Sequence, residues 1–148
     1  MVQFALSGFA DKMSEILPVI IKEFSRRQAI ELYSGRITLP QFLILDFLNR
    51  RGEAKMTDLA RFMRVTTAAM TGVVDRLVRN KYVQRIHESN DRRVIKVKLS
   101  AKGSRLIKKI YQQRRKMIIH IFGRISRSER EEYLRILTHI HGILTNPN

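Results

Sequence analysis

The sequence predicts a mainly α-helical fold with one small β-hairpin, and three observations carry that prediction. Apolar residues recur at steps of three and four in six stretches, the spacing of a helix stripe. A single stretch, Val94-Ile95-Lys96-Val97-Lys98-Leu99, alternates apolar with basic residues, the pattern of a strand with one buried face. Two sites, Thr38-x-x-Gln41 and Ser126-x-x-Glu129, carry the capping box that starts a helix.

Taken in order, Met13, Ile16, Leu17, Ile20, Ile21 and Phe24 mark a first helix over about 8–34. Pro18 lies inside it, lacks an N–H donor and clashes with the preceding turn, which predicts a kink or break. Gly35 ends this segment. Thr38 opens the second helix, which Phe42, Leu45, Phe47 and Leu48 carry to Arg50, with Gly52 as its stop. A short helix from Thr57 to Met63 turns inward Leu59, Ala60 and Met63, with Thr57 as its expected cap. The turn Arg64-Val65-Thr66 leads to a helix over Thr67 to Arg79 with the stripe Met70, Val73, Val74 and Leu77, and two helices joined so tightly form a helix-turn-helix. Tyr82 to His87 pairs with the alternating strand across a charged loop over 88–93. Ser100 then caps a long helix over 101–122, and Ser126 opens a last one bearing Tyr133, Leu134, Leu137, Ile140 and Leu144. Helices one, five and six hold more apolar surface than one small domain covers, which predicts packing against the same helices of a second subunit.

Composition narrows the function classes. The 148 residues include 29 Lys and Arg against 13 Asp and Glu, a net charge of +16, while the 44% hydrophobic content excludes a disordered basic tail. Residues 1–35 are neutral, residues 36–103 carry +9 and residues 104–148 carry +7. Such charge on a folded scaffold points to a polyanion partner. There is no cysteine, which removes disulfides, thiolate zinc sites and thiol chemistry. No apolar run reaches eighteen residues and no leader pattern follows Met1, so the expected location is the cytoplasm and no membrane partner is expected. His139 and His141 are two apart on a helix and point about 200° from each other, so they cannot share a metal. His87 and His120 are isolated. No metal, cofactor or catalytic residue is assigned, and no phosphate-cradling or nucleophile-elbow motif is present, so an enzyme is not expected.

On the helix after the turn, the face opposite the apolar stripe presents Thr66, Thr67, Ala69, Thr71, Gly72, Asp75, Arg76 and Arg79. Short side chains near its start allow close approach to base edges in a major groove about 12 Å wide. Gly72 costs about 1 kcal/mol of helix stability relative to Ala, which close approach to a ligand or relief of internal crowding would each explain. Arg76 and Arg79 suit either bases or phosphates. Arg85, Lys96 and Lys98 are candidates for phosphate contacts that position without reading sequence. Helix five carries Lys102, Arg105, Lys108, Lys109, Arg114, Arg115 and Lys116; the first few can lie near a DNA backbone, and Arg114 to Lys116 read as a solvated face.

Three stretches resemble the multiple antibiotic resistance regulator (MarR) family of winged helix-turn-helix repressors. They are Leu39-Pro40-Gln41-Phe42 with Leu45; Ala69-Met70-Thr71-Gly72-Val73-Val74-Asp75-Arg76-Leu77; and Asp91-Arg92-Arg93 followed by Val97-x-Leu99-Ser100-x-x-Gly103. The resemblance implies a single domain over 1–148, with a winged helix-turn-helix over 38–100 and dimerisation helices over 1–35 and 101–148. It implies a homodimeric repressor of double-stranded DNA that reads a palindromic operator and is relieved by a small, aromatic or phenolic, effector. No effector-binding residue is assigned. The family customarily has a glycine where Lys81 stands, and Asn80 is expected to take the left-handed conformation instead. The resemblance also places an arginine of the turn, Arg92 or Arg93, in the adjacent minor groove, where narrow A·T-rich tracts concentrate negative potential. Asp91 is then expected to hold the other arginine by a charge-assisted bond and stiffen the wing. The alternatives are a basic architectural or RNA-associated protein that binds by charge alone, and a membrane-surface protein using helix five.

Overall fold

The computed structural model describes residues 5–27 and 36–146. Its elements are α1 (Leu6–Arg27), α2 (Leu39–Arg51), β1 (Glu53–Lys55), α3 (Met56–Met63), α4 (Thr67–Arg79), β2 (Val83–His87), β3 (Ile95–Leu99), α5 (Ala101–Phe122) and α6 (Arg127–Thr145). The chain divides into two compact units, residues 1–113 and 114–148.

Among the described residues, the buried core of the first unit lies within 37–110. Ile44, Leu45 and Leu48 of α2, Leu59 of α3, Met70, Val74 and Leu77 of α4, Val83, Val97 and, from α5, Ile107 and Ile110 are all but sealed from solvent. Each of these residues falls on the apolar stripe of its element, so burial of one face decides how the helices pack. The three strands form an antiparallel sheet in the order β1-β3-β2, with Ala54 and Arg85 flanking Val97. β1 was not visible in the sequence: three residues, two of them charged and only Ala54 buried, show no alternation.

Helix ends follow local chemistry. Thr38 Oγ1 accepts from the Gln41 N–H at 3.4 Å while Gln41 Oε1 accepts from the Thr38 N–H at 2.8 Å, the reciprocal capping box the sequence predicts. Gly52 ends α2 at φ 84°, a conformation that disfavours any side chain. α3 starts one residue earlier than expected. Its N-cap is Lys55 rather than Thr57, because Asp58 Oδ2 accepts from the Lys55 N–H at 3.4 Å and satisfies the entry. Arg64, in the left-handed region at φ 53°, turns the chain from α3 into α4.

α1 runs through Pro18 as one helix of 22 residues, so the expected break does not occur. The loss of one N–H leaves the hydrogen bonds on either side in place, and the helix tolerates it. The expected continuation to residue 34 and the stop at Gly35 lie outside the described residues.

Between α4 and β2 the expectation for Asn80 is corrected. Asn80 is right-handed at φ −79°, and Lys81 itself occupies the left-handed region at φ 61°. The strain is held by a latch. Ser100 Oγ donates to the Lys81 carbonyl at 2.6 Å and accepts from the Gly103 N–H at 3.0 Å, while the Ser100 N–H donates to the Tyr82 carbonyl at 3.0 Å. Lys102 closes it from above, donating to the Asn80 carbonyl at 2.9 Å with its ammonium 4.7 Å from the centre of the Tyr82 ring. Gly103 packs directly under the Tyr82 carbonyl, and a Cβ there would overlap that backbone oxygen.

In the second unit, Ser126 Oγ accepts from the Glu129 N–H at 3.2 Å and Glu129 Oε2 accepts from the Ser126 N–H at 2.7 Å, so this capping box also forms. The bond from the Ser126 backbone N–H holds the Glu129 carboxyl below the usual glutamate value. Phe122 and Tyr133 meet with ring centres 5.3 Å apart, and Arg130 donates to the Phe122 and Ile125 carbonyls.

Three substitutions test the latch. Lys81→Gly relieves the left-handed strain and is expected to raise stability by about 1 kcal/mol in urea unfolding, whereas Asn80→Gly yields no gain. Gly103→Ala forces the Tyr82 carbonyl to move and lowers stability by about 1–3 kcal/mol.

Candidate nucleic-acid interface

The first turns of α4 present a smooth, short-chained face. Thr67, Ala68, Ala69, Thr71 and Gly72 are exposed, while Met70, Val74 and Leu77 anchor the opposite stripe. Thr66 caps the helix, its Oγ1 accepting from the Ala69 N–H at 3.1 Å. Thr71 Oγ1 donates back to the Thr67 carbonyl at 2.9 Å, which leaves its lone pairs and methyl group facing outward. A Cβ added to Gly72 would meet nothing within 4 Å. Internal crowding therefore does not explain this glycine, and the space it leaves is on the outer face.

The cations sort into two groups. Arg85 forms an ion pair with Asp75, tying β2 to the middle of α4. Lys96 pairs with Glu53 at 3.0 Å and Glu88 at 3.2 Å, clasping β1 and the start of the wing loop to β3. The hydrogen bond to Glu53, followed by that to Glu88, holds the Lys96 ammonium above the usual lysine value. Arg85 and Lys96, expected to contact phosphates, thus each stand beside carboxylates from outside their own strand. Asp75, present on the expected face but without a role, is the partner of Arg85. Lys98, Arg76, Arg79 and Arg92 are exposed and pair with no carboxylate among the described residues.

The wing loop differs from expectation in one bond. Asp91 Oδ1 accepts from the backbone N–H of Arg93 at 2.9 Å, and the Asp91 carbonyl accepts from the Val94 N–H at 3.0 Å. The carboxylate stiffens the turn through the main chain, as aspartates do in turns, and takes neither guanidinium. His87 Nδ1 lies 3.2 Å from the Arg92 carbonyl across the same loop. Arg93 lines a groove of about 380 Å³ with Lys55, Thr67, Thr71 and Ile95, between the start of α4 and the wing. Arg92 is absent from that groove. Lys55 and Arg36, which lines a second groove beside Arg76 and Arg79, were not singled out in the sequence. Their neighbours come from other elements, and no local signal marks them.

The turn geometry predicts distinct outcomes at Asp91. Asp91→Asn keeps an acceptor for the Arg93 N–H and leaves its hydrogen exchange nearly unchanged. Asp91→Ala removes that acceptor and speeds exchange by about five-fold, equivalent to about 1 kcal/mol of local stability.

This arrangement has counterparts among known proteins. The MarR family profile matches residues 37–95, from the residue before the α2 cap to the first residue of β3. The uncharacterized HTH-type transcriptional regulator YsmB of Bacillus subtilis is 29% identical over 112 residues, 76% of this chain and 75% of that protein. A MarR family protein from Bacillus stearothermophilus has a similar structure, with a TM-score of 0.80 and 25% identity over 93% of this chain and 96% of that one. A mutant of S. aureus MepR bound to an oligodeoxyribonucleotide shares the fold, with a TM-score of 0.68 and 21% identity over 88% of this chain and 96% of that one. The recognition helix, its wing and these likenesses together identify the chain as a member of the MarR family of DNA-binding transcriptional regulators, which are not enzymes.

Proposed function

We propose that this regulator is a homodimer that reads a palindromic operator, with α4 in the major groove and the wing in the minor groove beside it. The observation that carries the reading is the outer face of α4. A protein that binds by charge alone needs cations and no smooth face, yet Thr67, Ala69, Thr71 and Gly72 form an uncharged strip with open space at its glycine. Short side chains let backbone and hydroxyls reach base edges. Lys98 serves a phosphate, Arg92 projects from the wing toward the minor groove, and Arg93 backs the start of α4. DNA as the partner is supported by the MepR mutant of the same fold, which is bound to an oligodeoxyribonucleotide. Relief of repression by a small aromatic or phenolic ligand is part of the same reading, and its support is the family resemblance.

Dimerisation is supported by apolar surface that each unit leaves in water. No residue of α1 or α6 is buried. Ile21 is 56% exposed, and Leu134 and Ile143 are 65% and 61% exposed. Rows of this extent on a regulator's helices mark a protein interface.

The direct test is competition between a duplex selected from a random pool and unselected DNA at fixed salt. A preference of at least about 10³-fold is expected, and equal affinity would favour the architectural or RNA-associated alternative. Gly72→Ala sharpens the test, because its two effects have opposite signs. Stability rises by about 1 kcal/mol, since alanine suits an exposed helix interior with room for the methyl group, while affinity for the selected duplex falls. A rise in stability with unchanged affinity would show that nothing approaches this face closely. For the dimer, Leu137→Glu is expected to shift sedimentation toward the monomer at micromolar concentration and to weaken operator binding with it. A wild-type monomer at that concentration would end the dimeric reading.

A further inference from the structure

Arg36, Arg76 and Arg79 line one groove of about 300 Å³ with Thr38, Gln41 and Asn80. All three arginines are exposed, none pairs with a carboxylate among the described residues, and no acidic side chain lines the groove. The groove between α2, β1 and α3 differs in this respect, since Glu53 and Asp58 there oppose Arg51 and Arg61. Thr38 and Gln41 are committed to each other through the capping box. The Asn80 carbonyl is taken by Lys102, a further cation at the groove's edge.

Helix electrostatics accounts for part of this cluster and fails for the rest. Arg76 and Arg79 lie in the last turn of α4, where the negative end of the helix dipole favours cations. Arg36 lies just before α2, beside the positive end of a helix, where a cation is disfavoured. Three guanidiniums therefore share a concavity in which they repel one another, and an oxyanion would relieve that repulsion.

We propose that the groove is an oxyanion clamp that grips one phosphate of the DNA backbone, with Arg36 as the arm that α4 does not supply. The inference rests on the DNA-reading role of α4 proposed above. Distance along the helix selects phosphate over base. At 1.5 Å per residue, Arg76 lies about 13 Å and Arg79 about 18 Å beyond Thr67. A helix entering a groove about 12 Å wide by its N-terminus has reached the phosphate ridge at that depth. Guanidinium forks match phosphate oxygens in pairs, and Lys in the same place supplies charge without the fork.

The experiment measures salt series for a selected and a random duplex with wild type, Arg36→Ala, Arg36→Lys, Arg79→Ala and the double alanine variant. Circular dichroism confirms that each is folded. Arg36→Ala is expected to weaken both duplexes by the same factor and to make the slope of log K against log salt shallower by up to about 1. Arg36→Lys keeps the slope and loses part of the affinity. The double variant changes the slope by no more than about 1 in total, because its two arginines serve one phosphate. Unchanged affinities for Arg36→Ala would overturn the clamp. Weakening of the selected duplex alone would make Arg36 a base contact, and a slope change near 2 for the double variant would mean separate phosphates. A titration with inorganic phosphate at constant ionic strength, followed by thermal shift, distinguishes the source. Phosphate binding that Arg36→Ala abolishes while DNA affinity stays unchanged would make this a site for free phosphate and overturn the DNA assignment. Equal wild-type affinity for both duplexes would defeat base reading by α4, while the Arg36 comparison on random DNA would still decide the clamp.

Discussion

The reading head depends on one crossing of the chain, where Ser100 joins the end of the recognition helix to the start of α5. Its hydroxyl donates to the Lys81 carbonyl and accepts from the Gly103 N–H, and its own N–H donates to the Tyr82 carbonyl. These bonds hold Lys81 in the left-handed region and set where β2 begins. Because β3 ends at Leu99, the same residue fixes the exit of the wing. The angle between recognition helix and wing therefore follows from a cap rather than from the core. The absent Cβ of Gly103 is what allows the Tyr82 carbonyl so close.

Charge is arranged on this frame by subtraction. With a net charge of +16, nearly any surface would attract a polyanion. Beside the hairpin the fold pairs two cations with carboxylates from outside their own strand, Arg85 with Asp75 and Lys96 with Glu53 and Glu88. Partly exposed pairs of this kind add little to stability. Their larger effect is to direct attraction toward the cations left without carboxylates, among them Lys98, Arg92 and the three arginines beside Asn80. The uncharged strip of α4 lies among these, so in the proposed reading charge draws DNA in while the short side chains of α4 meet the bases.

The legible and illegible parts of the sequence divide by range. Helices α2, α4, α5 and α6 were readable because stripe, cap and stop are local: Thr38, Gly52, Thr66 and Ser126 perform the roles their types suggest. The hairpin was readable because its period of two contrasts with its surroundings. β1 was missed because its pairing with β3 is an event between segments some forty residues apart. The ion pairs of Arg85 with Asp75 and of Lys96 with Glu53 were likewise not visible, since each joins residues of different elements. At Lys81 a local rule misled, because Asn tolerates a positive φ better than Lys does, yet the Ser100 latch decides which residue bears it. Arg36 carried no signal at all, since only the fold places it beside the last turn of α4.

The helices outside the core impose a final constraint. α1 and α6 bury no residue, and helices of about twenty residues draw most of their stability from packing of an apolar face rather than from propensity. Capping by Ser126 contributes about 1 kcal/mol, and an exposed i,i+3 pair such as Glu132 with Arg135 contributes less. Order in these segments then has to come from covering their apolar rows. In the proposed dimer that cover is a second copy, and the same contact sets the distance between two recognition helices. Half-sites on one face of a duplex repeat about every 34 Å. In that proposed dimer, a reading head whose internal angles are held by Ser100 matches the repeat only if the spacing between copies is equally rigid, and the apolar faces of α1 and α6 would then bear on operator choice through that spacing.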